Sequence, residues 1–183
     1  ADHPVEGLQE IAEDANVSVR ADAVEPITGV LVLFAPGAHA VHSSAVSFHN
    51  VGGTASDGIK LIAEDGNPGM YESALSETDG VSTAGTFGDG PTPPGMSQTF
   101  TVEATPDDRL SLATMFIQSN DFYFATPENG IALFDGDAPI SGSVTDQIDV
   151  YDAGTEPEEE PGVGRTQAPR QPASGRGPRS PAG

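Results

Sequence analysis

Arg109-Leu110-Ser111-Leu112-Ala113-Thr114-Met115-Phe116-Ile117 is the stretch on which the reading of the fold turns. Leu110 and Leu112 alternate with small polar neighbours as one face of a strand does, and the change of phase before Met115 predicts a bulge. Beyond it, the polar residues Gln118 to Asp121 interrupt the apolar run, and Phe122 to Ala125 reads as the next strand. Ile131 to Phe134 and Ile148 to Tyr151 follow as two more.

On the N-terminal side, Thr99 to Ala104 alternates with Phe100 and Val102 inward, and Asn16 to Val24 carries Val17 and Val19 on one face. Val30 to Phe34 is continuously apolar, as a strand covered on both faces is, and Ala38 to His42 continues it beyond a Pro36-Gly37 bend. Two short helices are expected between Gly58 and Glu77. Asp57 is the cap of the first, Ile59, Leu61 and Ile62 share one side, and Asn67-Pro68 starts the second. Gly80 to Gly95 reads as a Gly/Pro/Thr-rich loop. Strands dominate, so the class is all-β: an antiparallel β-sandwich with a short helical insertion around residues 57–77.

The domain plan is an N-terminal segment (1–15), a sandwich (16–160) and a Pro/Gly/Arg-rich tail (161–183). A chain of 183 residues is long enough for one core that buries roughly two-thirds of its unfolded surface. Its 28 acidic residues face only 7 Lys and Arg, a net charge of −21. Nucleic acid is excluded as a partner, because a phosphate backbone would be repelled. Such self-repulsion is tolerable where salt screens it, the Debye length falling to about 3 Å at 1 M, so the composition points to a high-salt setting. Lys60 is the single lysine. Four of the basic residues, Arg165, Arg170, Arg176 and Arg179, lie in the expected tail, which has no acid. There is no cysteine, and hence no disulfide or thiolate metal site. The opening at Ala1 on a polar stretch leads us to expect a secreted chain freed of a signal peptide. The most apolar run, Val30 to Ala35, is far shorter than the roughly 20 residues that span a bilayer, so no transmembrane helix is expected.

Enzyme signatures are missing: the chain has no G-x-S-x-G, no H-E-x-x-H, no P-loop and no G-x-G-x-x-G after a strand. Of the histidines His3, His39, His42 and His49, the spacing of His39 and His42 puts them on opposite faces of a strand, which argues against a shared metal. Carboxylates are the informative group. Calcium takes six to eight oxygen ligands, and loops at one end of a sandwich can supply them together. Three acidic loop segments follow apolar strands: Asn120 and Asp121, Asp135 and Asp137, and Asp152 and Glu156. The alternative is a hydrated acidic surface, and the twelve-residue EF-hand pattern does not occur.

Gln118-Ser119-Asn120-Asp121-Phe122-Tyr123 resembles the P-S-x-D-W-F motif of the spondin N-terminal domain family, which includes F-spondin and mindin. Ala132-Leu133-Phe134-Asp135-Gly136-Asp137 is similar to its D-L-x-D-G-D segment, and Tyr151-Asp152-Ala153-Gly154-Thr155-Glu156 to its Y-D-A-G-T-D segment. The likeness is nearer to the cysteine-free prokaryotic spondin-domain proteins. It runs through Pro36 to His42, Ala63 to Gly66, Arg109 to Met115 and Asp152 to Gly162, and covers roughly residues 16 to 171. The resemblance implies about eight antiparallel strands in a C-two-like sandwich, a calcium ion at loops of one end, and extracellular adhesion. Its metal ligands carry over to Asp121, Asp135 and Asp152, with Glu156 where animal members have Asp. Two departures stand out. Ala132 replaces the first Asp of the D-L-x-D-G-D segment, and the acidic Pro157 to Glu160 replaces an aromatic stretch.

The function expected from residues and resemblance together is that of a secreted calcium-binding adhesion or matrix-type structural domain without catalytic activity, adapted to high salt. The alternative is a subunit of an extracellular filament or cell-surface assembly, held by strand-edge and tail contacts. Partners are accordingly a second copy of the chain or cell-surface and matrix components. A calcium-supported hydrolase using a histidine is the weakest of the three, because no nucleophile–base motif supports it.

Overall fold

The stretch around Leu110 is buried from Leu110 to Phe116, as happens to a strand covered on both faces. The computed structural model describes residues 15–20 and 33–171. In chain order these form β1 (Ala15–Arg20), β2 (Phe34–His42), α1 (Asp57–Asp65), α2 (Gly69–Ser76), β3 (Val81–Phe87), β4 (Ser97–Val102), β5 (Arg109–Phe116), β6 (Phe122–Ala125), β7 (Ile131–Ala132), β8 (Phe134–Asp135), β9 (Ala138–Pro139) and β10 (Asp149–Asp152). The expected strand residues 21–24 and 30–32 lie outside the described residues.

All pairings are antiparallel, and the fold is a sandwich-like all-β arrangement with two short helices. The main sheet runs β10-β6-β5-β2-β3, with β7 also against β5. Its two faces are covered differently. On one, α1 and α2 pack Ile59, Ile62, Tyr71 and Leu75 against Ala38, Ala40, Ala113 and Ala125, whose small side chains let helices approach closely. On the other lies the β1–β4 ribbon, which brings Phe100 and Val102 to Val41, Phe87, Leu110 and Leu112. Among the described residues no helix is long and apolar enough to cross a membrane.

Several expectations need correction. The irregularity predicted within β5 sits on its partner: register shifts between Phe34 and Gly37 of β2, at the Pro36-Gly37 bend. β5 lacks strict alternation because both its faces are buried. The Gly80 to Gly95 loop contains β3, an edge strand whose Ser, Thr and Gly residues hide the usual apolar signal. Ile131 to Phe134 is not one strand. It leaves β5 after Ala132 and turns into the small β8–β9 hairpin. Ser56, not Asp57, caps α1, its side chain accepting from the Ile59 N–H at 3.3 Å. Gly66 ends that helix at φ 62°, where a side chain would be strained. The Asn67 side chain accepts from Gly69 N–H at 3.2 Å, so α2 starts after Pro68.

From Pro161, where a tail is expected, the residues to Gln171 make a hydrogen-bonded loop. Gly162 N–H donates to Gln118 C=O at 2.7 Å. The Gln167 side chain is fully buried, accepts from Gly162 N–H at 3.1 Å and donates to Glu160 C=O at 2.7 Å.

Candidate functional site

The turn between β5 and β6 is tied by Ser119, whose hydroxyl donates to Phe116 C=O at 2.6 Å and accepts from Phe122 N–H at 3.0 Å. This tight return buries the next two residues, Asn120 and Asp121, at 0% and 1% exposure. β10 runs antiparallel to β6 with Asp152 opposite Phe122, so the chain leaving β10 passes directly over them. Ala153 N–H donates to Asp121 C=O at 3.1 Å. One Asp121 carboxylate oxygen, Oδ2, accepts from the N–H groups of Thr155 and Glu156 at 2.8 and 2.9 Å and from the Thr155 hydroxyl at 3.3 Å. Asn120 Nδ2 donates to Pro157 C=O at 2.7 Å.

These bonds leave a second set of atoms unused. Asn120 Oδ1, Asp121 Oδ1 and Glu156 Oε2 are buried and accept no hydrogen bond. Such an oxygen costs roughly 1–3 kcal/mol, and more when charged. The electrostatics follow from the same geometry. Burial raises the Asp121 carboxyl above its ordinary range; the Glu156 and Thr155 N–H groups oppose the rise, and the charge of Asp152 adds to it. Glu156 is pushed up to about 7 by burial and by the carboxylates of Glu64, Asp121 and Glu159, with Lys60 opposing. Glu64 on α1 is itself buried and meets Lys60 at 3.6 Å.

Of the sequence-predicted residues, Asp121, Asp152 and Glu156 are brought to one end of the main sheet. Asp152 stands at the rim, exposed, its Oδ1 accepting from Gly154 N–H at 2.7 Å. Asp135 and Asp137 are placed elsewhere. They belong to the β8–β9 hairpin that follows Ala132, which pairs with Arg109 at the start of β5, whereas Asn120 and Asp121 follow its end. The length of β5, about 23 Å at roughly 3.3 Å per residue, separates the two groups. Glu64 was not singled out from the sequence. It lies within Ala63 to Gly66, but only the packing of α1 on the sheet brings its charge to Glu156.

The donor set has the chemistry of a hard cation site, with carboxylate and amide oxygens that have no donor of their own. Among the described residues no group of three or more His, Asp or Glu side chains is spaced to hold a metal ion by itself. An ion held here would therefore need the Asn120 amide oxygen, and ligands other than side-chain carboxylates, to complete its shell.

The described histidines, His39, His42 and His49, have partners other than these carboxylates, and His3 lies outside the described residues. His39 stacks on Phe100 at 4.1 Å on the ribbon side. His42 Nδ1 lies 2.8 Å from Ser43 C=O and Nε2 2.8 Å from the Ser111 hydroxyl, so Nδ1 carries the proton and the serine donates to Nε2. This Ser–His pair is fully enclosed, both residues at 0% exposure. His49 donates to Thr126 C=O at 2.8 Å and accepts from the Tyr123 hydroxyl at 3.1 Å. Comparison with known proteins finds no family model that matches the chain and no characterised protein significantly similar to it.

Proposed function

We propose that the chain is a secreted, non-catalytic binding domain of the spondin N-terminal type, adapted to strong salt, that holds calcium at the β5–β6 and post-β10 loops and serves in adhesion at a cell surface or matrix. One observation carries this reading: Asn120 Oδ1, Asp121 Oδ1 and Glu156 Oε2, buried acceptors from two loops, have no hydrogen-bond donor. Asn120, Asp121 and Glu156 would hold the ion, with Asp152 at the rim. A bound calcium ion supplies the positive charge that these oxygens lack. The chain's own residues do the rest: Thr155 and Glu156 N–H groups orient Asp121, and Pro157 C=O orients Asn120. Because the two loops are distant in sequence, bridging them makes binding a stabiliser of the fold. The gain is about 2.7 kcal/mol at a hundredfold excess over the dissociation constant.

The test is a thermal melt in fixed multimolar potassium chloride, with calcium or with chelator, for the parent and for Asp121→Asn. Calcium is expected to raise the parent midpoint by roughly 5–10 °C and the variant midpoint far less. An unchanged parent midpoint would remove the metal from this reading and leave the carboxylates as adaptation to salt.

A further inference from the structure

The main sheet ends in two edges of opposite chemistry. β10 carries exposed Asp149 and Asp152 within four residues, and like charges facing each other across strands are destabilising. β3, at the other end, reads Val81-Ser82-Thr83-Ala84-Gly85-Thr86-Phe87, with neither a charge nor a proline. Exposed edges are ordinarily guarded by such residues, and 19% of this chain is charged. Ser82, Thr83 and Thr86 are exposed, and among the described residues no strand pairs with the outer side of β3. Beside it, Ser76 at the end of α2 and the first half of β3 line a shallow groove of about 270 Å³.

We propose that β3 is a self-association edge: β3 of one copy pairs antiparallel with β3 of a second copy about a two-fold axis, joining their main sheets into one. The occupant follows from charge. Two bodies of net charge −21 repel each other across carboxylate surfaces and can approach only where carboxylates are missing, which is what β3 offers. With the axis at Ala84, Thr86 faces Ser82 of the second copy and Thr83 faces Gly85. With the axis at Gly85, Ala84 faces Thr86 and Thr83 faces Phe87. Within β3, hydroxyls, methyls, an aromatic ring and glycine meet in either register and no carboxylate opposes another. Just beyond the strand the Ala84 axis sets Asp79 against Asp89 of the second copy, whereas the Gly85 axis sets Asp79 against Pro91 and Asp89 against Val81, so the Gly85 register is the favoured one. A two-fold contact uses up β3 on both copies and leaves β10 at each outer end, so the product is a closed dimer and not a filament. Long-range repulsion opposes it at low ionic strength. Shortening the Debye length from about 10 Å at 0.1 M to about 3 Å at 1 M favours it.

The experiment is light-scattering mass of the full chain in potassium chloride at about 0.1 M and about 1 M, for the parent, for Thr83→Glu combined with Thr86→Glu, and for Val150→Lys on the β10 edge. The parent is expected to double its mass at high salt, the β3 variant to stay monomeric while still melting in one cooperative transition near the parent's at about 0.1 M, where both are monomers, and Val150→Lys to dimerise like the parent. Amide exchange in β3 of the parent, expected to slow as protein concentration rises, tests the contact without any variant. A parent that stays monomeric at high salt, a dimer indifferent to the β3 carboxylates, β3 amides whose exchange does not change with concentration, or open-ended polymers would each overturn the proposal.

Discussion

His39 is 5% exposed, lies flat against Phe100, and keeps Nδ1 without a hydrogen-bond partner. Burial lowers its pKa from 6.5 to about 4, the charge of Glu72 only partly opposing. The folded protein therefore resists a proton that the unfolded chain accepts. The stability held through neutral His39 is complete above about pH 6.5 and is lost as pH falls toward 4. We expect that loss to amount to about 2–3 kcal/mol. His39→Leu should flatten this part of the curve relative to the parent, as measured by urea unfolding at a series of pH values across the window. Equal slopes in parent and variant would mean that His39 is accessible to protons in the folded state.

Among the elements, the loop from Pro157 to Gln171 connects the site to the rest of the fold. Its anchor is Gln167, which bonds Gly162 N–H and Glu160 C=O and accepts from the Arg170 guanidinium at 2.6 Å. Arg170 also donates to the carbonyls of Gly162 and Gly164, and Glu159 accepts from the N–H groups of Arg165 and Thr166 at 3.1 and 2.9 Å. Gln167→Ala removes several of these bonds at once and opens a cavity, so a loss of about 2–4 kcal/mol is expected in urea unfolding. The same variant should show a smaller calcium-induced rise in midpoint than the parent, because Pro157 C=O orients Asn120 from this loop. A calcium response equal to the parent's would separate the loop from the site. The composition from Pro161 on, rich in Pro, Gly and Arg, reads as a tail because almost nothing apolar marks it. It is held by a buried amide network that apolar periodicity does not reveal.

At the scale of the molecule, charge dominates. Residues before Pro161 hold all 28 acids and only Arg20, Lys60 and Arg109 as basic partners, so compaction brings like charges together. The melting midpoint is expected to climb as potassium chloride rises from about 0.1 M to about 1 M, because the screening length shortens roughly threefold. Scanning calorimetry across that range checks it, and a flat midpoint would show that self-repulsion is not what salt relieves. Charge and core act separately. Ala38, Ala40, Val41 and Ala113 are completely buried in both halves of a sandwich whose apolar packing is indifferent to surface carboxylates.

The sequence by itself determined the all-β class, the helical insertion between β2 and β3, and the acidic loops after β5 and β10. These rest on local causes: period-two alternation, β-branched and aromatic runs, capping residues and turn formers acting within a few positions. Phe100 and Val102 were legible as inward-facing because they alternate, and β3 was not because its Ser, Thr and Gly residues do not. Only the tertiary structure decided which carboxylates are neighbours. Asp121 and Asp135 both follow apolar strands, yet they lie at opposite ends of β5, because the end a loop occupies depends on the direction and pairing of the strand before it. Glu64 reaches the electrostatic field of Glu156 through the packing of α1 on the sheet, a contact between segments far apart in the chain. Periodicity reports the face on which a residue lies; the non-local hydrogen bonds of the sheet decide what it meets there.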